Sequence, residues 1–436
     1  MLSLLSIAGV ATVPTVGAEK LNAPRFVKNR TTYIYNSVAE LKQDDSLEVG
    51  DFVATYGYHS PDDGGHAAYQ VIRHAGQQVE EGQYIQLHAG LLAKLINVEQ
   101  VNYKMFGAKG DGESDDGVQI KLAHEYANAC DIPVDNTRGE FWIKRTNNIV
   151  IQTNVCWGNT RFHIDERYNT GTPRFVVAGK QESKPLSLSA EDKESVLRGL
   201  KNKDLNISAL AAYSNSLAVV VDSNDKYGAR YSGSLTARVR NKQDFFVIEE
   251  YGRILGDVVD FNDYTTLTIY PGEQSYLVIE GGTFLLSGHS SELMEKGYMH
   301  SGIQVTRSRS IIKNQWVGLE PGQRDIAMLA RHGFYSFWRT FDVHLKNIRQ
   351  IPYEKTRGTR ETTVPQGTYG ISCNTVMNAV FSNITAEADR IHWGVFGTIT
   401  LRMFGSTGAS STGLTYTPSA GIYILKTRIS AKKELR

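Results

Sequence analysis

The chain has 436 residues, 41% hydrophobic and 21% charged, the balance of a folded protein with a large core and not of a disordered one. Its 47 basic and 46 acidic residues leave a formal charge of +1, so no bulk field draws it to nucleic acid or to an acidic membrane. Three scattered cysteines (Cys130, Cys156 and Cys373) form neither a disulfide framework nor a Cys-x-x-Cys metal pair and read as small core residues, while forty glycines indicate a turn-rich β protein.

The first segment, Leu2 to Val16, is mildly apolar and ends near Val-Gly-Ala. No Lys or Arg precedes the apolar run, and Thr and Pro interrupt it, so residues 1–29 read as a joint from a longer amino-terminal region and not as an export signal. No stretch has the length of a membrane span, and no membrane insertion is expected. Residues 30–98 read as a small mixed unit. Ser37 caps Val-Ala-Glu-Leu41, and strands at Val49–Val53 and Ala67–Ile72 flank the turn-rich Ser60-Pro-Asp-Asp-Gly-Gly65. This order, with Gly57-Tyr58-His59 and Asp63-Gly-Gly65 between the strands, resembles the small domain ahead of the β-helix in many bacteriophage tailspikes.

Residues 105–117 read Met-Phe-Gly-Ala-Lys-Gly-Asp-Gly-Glu-Ser-Asp-Asp-Gly. An apolar strand end (Val101, Tyr103, Phe106) runs into glycines suited to a tight loop, and Asp115 or Asp116 then caps a helix. The expected apolar stripe of that helix is Val118, Leu122, Tyr126 and Ala129, with Ala123, Ala127 and Cys130 beside it. A calcium loop lacks its closing Glu, and a phosphate loop lacks its Lys-Ser or Lys-Thr. The motif resembles the entry of pectate-lyase-like right-handed β-helix proteins, in which the helix covers the open end of a stack of strands. Plant, fungal and bacterial pectinases share that motif. Together with the order of residues 37–65, it points to phage.

The resemblance implies an all-β chain: a right-handed parallel β-helix over residues 99–397 with an amino-terminal cap helix. Phe141, Ile143, Ile149, Ile151 and Val155 are core candidates of the first coils. Residues 166–275 break the pattern and read as an inserted β-rich lobe: Lys180–Asp204 is polar, and strands follow at Leu217–Val221, Leu235–Val239, Phe245–Ile248 and Leu267–Ile269. The triplets Ile312-Lys-Asn314, Leu345-Lys-Asn347 and Phe381-Ser-Asn383 then recur at 33 and 36 residues, with Val278 lying 34 before the first (312−278). Such a period suits a coil of three short strands, with asparagines bonded to one another at equivalent turns. After Gly397 the pattern collapses, and residues 398–436 read as an aberrant tail, out of frame from about residue 399.

No Gly-x-Ser-x-Gly elbow, His-Glu-x-x-His or Walker loop is present, so catalysis would rest on carboxylates, His, Arg and Tyr. Polysaccharide cleavage uses those groups: two carboxyls in a hydrolase, or a base and a carboxylate-holding cation in a lyase. Candidate catalytic residues are Glu320 and Asp325 in Glu-Pro-Gly-Gln-Arg-Asp, and Glu387 and Asp389 in Glu387-Ala-Asp-Arg-Ile-His-Trp393. Arg331, His332, Tyr335, Trp338, Arg339, His392 and Trp393 are candidate substrate contacts, since aromatic faces stack on sugars and Arg pairs with acidic ones. Asp342 and His344 alternate in the same way.

The resemblance implies a tailspike depolymerase of the colanic-acid-degrading type, made in the bacterial cytoplasm and acting from the virion tail. Its partners would be a bacterial cell-surface polysaccharide, the phage tail or baseplate and two further copies in a homotrimer. No cofactor, no metal and no nucleic acid are expected. A non-catalytic or decayed prophage spike, a lyase and a secreted pectinase-like enzyme are the alternatives.

Overall fold

Ile279, Ile312, Leu345 and Phe381 stand in register on successive parallel strands, each almost wholly buried. Two residues after the last three, Asn314, Asn347 and Asn383 take left-handed φ angles of 59°, 54° and 52°, a conformation that asparagine tolerates and that turns the chain. Asn383 Nδ2 donates to Asn347 Oδ1 at 3.0 Å, Asn347 to Asn314 at 2.9 Å, and Asn314 to Glu280 Oε1 at 2.8 Å. The asparagine repeat is therefore one corner of the coil. Its first copy differs from the expected alignment by one residue. Ile279, not Val278, faces Ile312, because a slip of one would turn every inward side chain outward.

The computed structural model describes residues 32–76, 78–80, 82–231, 237–256, 258, 260–288, 300, 302–323, 333–350, 369–386, 392–396, 401–404 and 414–415. From residue 111 the parallel strands form the expected right-handed β-helix with three walls. The first wall stacks Ile149–Ile151, Phe175–Val177, Ile303–Val305, residues 335–338 and 371–374, and His392–Phe396. The second stacks Val134–Asp135, then residues 155–156, 277–280, 310–313, 343–346 and 379–382, and Leu401–Phe404. The third begins at Asp111–Asp115 and Glu140–Ile143 and continues through residues 161–165, 283–287, 316–319 and 348–350.

Inside the stack all five predicted core residues are buried, and Phe162 lies on Phe284 with centroids 5.2 Å apart and rings 12° from parallel. Stacked aromatic pairs of this kind add about 0.5–1.5 kcal/mol beyond their buried area.

The helix Gly117–Cys130 covers the open end, as expected, but with a different stripe. Ile120, Ala123, His124 and Ala127 point inward, Leu122 and Tyr126 pack at the margin, and Val118, Ala129 and Cys130 face solvent. The polar His124 breaks the apolar pattern in sequence, yet it is fully buried. Of the cysteines, only Cys373 is buried; Cys156 is half-buried and Cys130 exposed. Asp116 does not cap the helix. Its carboxylate accepts from the Lys109 and Gly110 amides at 2.7 and 3.0 Å and closes the glycine loop, while Asp115 accepts from Gly117 and Lys144.

Ahead of the stack, residues 32–95 carry a five-stranded sheet and the helix Val38–Leu41, whose Ser37 hydroxyl accepts from the Glu40 amide. Between Phe175–Val177 and residue 277, a second unit interrupts the coils. It is an antiparallel sheet whose long ribbon Ser216–Tyr231/Ala237–Ile248 is flanked by Thr266–Pro271, and Leu217, Val219, Phe245 and Val247 pack on Phe341 and Met377 of the stack. The polar stretch before it contains a helix, Ala190–Asn202, capped by Ser189. Its weakly apolar stripe hid it in the sequence.

His124 sets an acid limit on stability. Trp157 Nε1 donates to the Tyr103 hydroxyl, which shares a hydrogen bond with His124 Nε2 at 3.0 Å, and among the described residues His124 Nδ1 has no partner. Burial pushes the imidazole down to about 3 from an ordinary 6.5. Above pH 6.5 both folded and unfolded chains hold it neutral. As the pH falls from 6.5 toward 3 only the unfolded chain takes the proton, removing roughly 1.4 kcal/mol of stability per pH unit. Denaturant midpoints between pH 7 and 4 should therefore fall less steeply for His124→Gln than for the native chain. Parallel slopes would contradict this.

Candidate active site on the third wall

Two neighbouring strands of the third wall share one pattern. Glu140-Phe-Trp-Ile143 and Arg161-Phe-His-Ile164 pair residue for residue, so Phe141, Ile143, Phe162 and Ile164 point into the core. Strand alternation places Glu140, Trp142, Arg161 and His163 on the outside. The Trp142 and His163 rings stack at 5.3 Å with 20° between planes, and Lys144 Nζ lies 5.1 Å over the indole. Arg161 donates to Glu140 Oε1 at 3.0 Å.

The next strands continue this face with Thr283 and Leu285, then Trp316 and Gly318. Glu320, directly after the strand Ser310–Leu319, is fixed by its amide donating to the Leu286 carbonyl at 2.9 Å. Its carboxylate reaches back to His163 and bonds Nδ1. The other imidazole nitrogen, Nε2, faces Glu140 Oε2 at 3.6 Å, beyond hydrogen-bond range. One imidazole thus sits between two carboxylates from distant parts of the chain. His163 is 11% exposed at its side chain, Glu320 18% and Glu140 47%, so a ligand has its freest access from the Glu140 side. Two buried indole nitrogens on the same face, Trp142 Nε1 and Trp316 Nε1, have no hydrogen-bond partner among the described residues.

Of the predicted residues that the structure describes, only Glu320 reaches this cluster. Tyr335 is a correction: it lies wholly inside the stack, its hydroxyl donating to Gln315 Oε1 at 2.9 Å. Odd positions of that strand face inward, in register with Ile303 and Ile371. Trp338 is half-buried on the first wall, and Arg339, at a left-handed corner, lies 5.2 Å over Tyr270 of the inserted unit. Asp342 accepts from Asn378 and lies 3.7 Å from Arg309, and His344 lies against Tyr276, so that pair belongs to the seam with the inserted unit. His392 and Trp393 belong to a first-wall strand, paired with Tyr369 and Ile371. Asp325, Arg331, His332, Glu387 and Asp389 lie outside the described residues.

Glu140, Arg161 and His163 were not singled out from sequence, since His163 and Glu320 stand 157 residues apart with the inserted unit between them. The available signal was the repeated charged–Phe–aromatic–Ile alternation, 21 residues apart (161−140). A cleft of about 380 Å³ occurs on the amino-terminal sheet, lined by Ile34, Ala54, Tyr56 and His66, but none of the third-wall groups lines it. The cluster sits on an open face, which suits a long polymer better than a small enclosed ligand.

Neither a protein-family model nor a curated protein matches the chain. Among solved structures, it is similar to tailspike protein 2 of an Escherichia coli O157:H7 bacteriophage, at 13% identity and a TM-score of 0.30, covering 88% of this chain and 44% of the other. It is similar to a Pantoea stewartii glycan biofilm modifying enzyme with a tailspike-like parallel β-helix, at 9% identity and a TM-score of 0.37 over 89% and 49% of the two chains. The tailspike of Pseudomonas phage phi297 gives 13% identity and a TM-score of 0.41 over 73% and 62%. The chain thus spans about half the length of the first two structures and somewhat more of the third. At scores this low the fold assignment rests on the strand register.

Proposed function

We propose that this chain binds and cleaves a bacterial surface polysaccharide, an exopolysaccharide or capsule, by glycoside hydrolysis on the third wall. The observation that carries the reading is the Glu140–His163–Glu320 cluster: two carboxylates held apart by one imidazole, beside a stacked indole and a guanidinium, on an exposed parallel wall. The sequence resemblance at residues 105–117 and 37–65 supports the same substrate class.

Glycosidases need one carboxyl to protonate the leaving oxygen and a second to activate water or attack carbon. Glu320, the less exposed, is assigned as the acid, and Glu140, open to solvent, as the base for water. An imidazole and two polar contacts separate them. That is the wider of the two spacings glycosidases use, roughly 6.5–9.5 Å against roughly 5–5.5 Å, so inversion is the expected stereochemistry. Trp142 supplies a face for a sugar ring. Attachment to a phage tail and assembly as a homotrimer belong to the same proposal.

The test is digestion of a panel of bacterial surface polysaccharides, read by reducing ends, by the anomer first formed and by ultraviolet absorbance. New reducing ends of inverted configuration without absorbance are expected. An unsaturated, absorbing product would mean elimination, and no cleavage of any polymer would mean a non-catalytic binder.

A further inference from the structure

Beyond His163 the third wall ends in a second group of side chains. The turn Glu166–Tyr168 follows directly on Asp165, and Tyr168 is 38% exposed. Two guanidiniums lie over its ring: Arg145 at 4.8 Å and Arg167 at 5.7 Å from the centroid. The side chain of Arg167 is 63% exposed and is held through Nε and NH2 by Asp165, whose side chain is fully buried. Arg145 is exposed as well, and among the described residues no carboxylate pairs with it.

This group is built, not incidental. Arg174 is wholly buried beneath it and donates to the Thr146 carbonyl at 3.0 Å, to Asn147 Oδ1 at 2.8 Å and to the Asp165 carbonyl at 2.5 Å. It therefore ties the segment bearing Arg145 to the segment bearing Arg167 and Tyr168. Three hydrogen bonds from its two terminal nitrogens offset the cost of burying that guanidinium, and a preorganised pair of cations is what results.

We infer that Arg145, Arg167 and Tyr168 form a subsite for a carboxylate-bearing sugar of the bound polymer, next to the cleavage site. The inference rests on the polysaccharide reading of the third wall and adds its charge preference. Arg presents a planar fork that pairs with carboxylate in two parallel hydrogen bonds, and the Tyr168 ring holds both guanidiniums in place. Arg167 follows His163 by four residues, no more than roughly 14 Å along the backbone, so a neighbouring sugar of one chain can occupy it. Glu140, Glu320 and the buried Asp165 and Glu166 are the acidic groups nearby, and Glu166 accepts from Asn169 Nδ2 at 2.9 Å. Asp165 is already matched by Arg167, and Glu140 by Arg161, which leaves Arg145 for the ligand.

The experiment uses the full chain carrying Glu320→Gln to prevent turnover, with acidic bacterial polysaccharides immobilised in native and carboxyl-reduced form. Native polymer should bind about tenfold or more tightly than its reduced form at low salt, the worth of one charge-assisted hydrogen bond. Arg145→Gln should remove that preference, Tyr168→Ala should weaken it, and neither should change binding of reduced polymer. Arg145 is the preferred variant because Arg167→Gln would strand the buried Asp165. Equal affinity for the two forms, an unchanged preference in Arg145→Gln or binding to neutral polymers alone would overturn the subsite. Full cleavage by Glu320→Gln would instead remove the hydrolytic assignment while leaving this binding result standing.

Discussion

Replacing Glu320 with Gln lowers kcat for polysaccharide cleavage by about a hundredfold to ten-thousandfold, the usual contribution of a positioned general acid. The substitution keeps shape and hydrogen-bonding capacity, so the fold and the contact to His163 persist while proton donation is lost. KM should change little, because an interaction used only in the transition state leaves ground-state binding intact. Glu140→Gln is expected to show a comparable loss. The double variant should cost scarcely more than either alone, since the two carboxyls act as one unit. An independent, additive loss would mean that they do not share a reaction.

The second large effect concerns the stack itself. Gly281 has φ +81°, and a Cβ there would press into the Gly158 amide nitrogen and lie 2.5 Å from its carbonyl oxygen on the adjoining coil. Those atoms are backbone and cannot give way without separating two coils. Gly281→Ala should therefore destabilise by about 3 kcal/mol or more, combining left-handed strain with a steric clash in a close-packed interior. Gly322 provides the control: its φ is +83°, but among the described residues no atom lies within 4 Å of where a Cβ would stand, so Gly322→Ala carries the strain alone, about 1 kcal/mol. Chemical denaturation of the two variants side by side checks this, and equal midpoints would contradict the tight coil contact.

Much of the fold was legible because its signals are local and repeated. The glycine loop and helix at residues 105–130, the Ser37 cap and the asparagine corners at 314, 347 and 383 each need only a short window. The errors came where packing, not pattern, decides orientation. Val278 and Ile279 are equally apolar, and only the pleat selects which enters the core. His124 is polar yet fully buried, because a Tyr103–Trp157 pair receives it.

The candidate site was legible only at Glu320. Its partners come from coils wound before the inserted unit, so no spacing in the sequence brings Glu140 or His163 near it; only the stacking of strands does. Tyr335 shows the converse. An aromatic in a promising Arg-His-rich run turned out to face inward, because strand parity, not neighbouring chemistry, sets its direction.

The most direct measurement is a crystal structure of the Glu320→Gln chain soaked with oligosaccharides of a polymer that the native chain degrades. The account predicts a sugar chain along the third wall, with one glycosidic oxygen between residues 140 and 320 and a ring against Trp142. Sugar bound instead along the first wall, or in the seam between Tyr276 and His344, would contradict it.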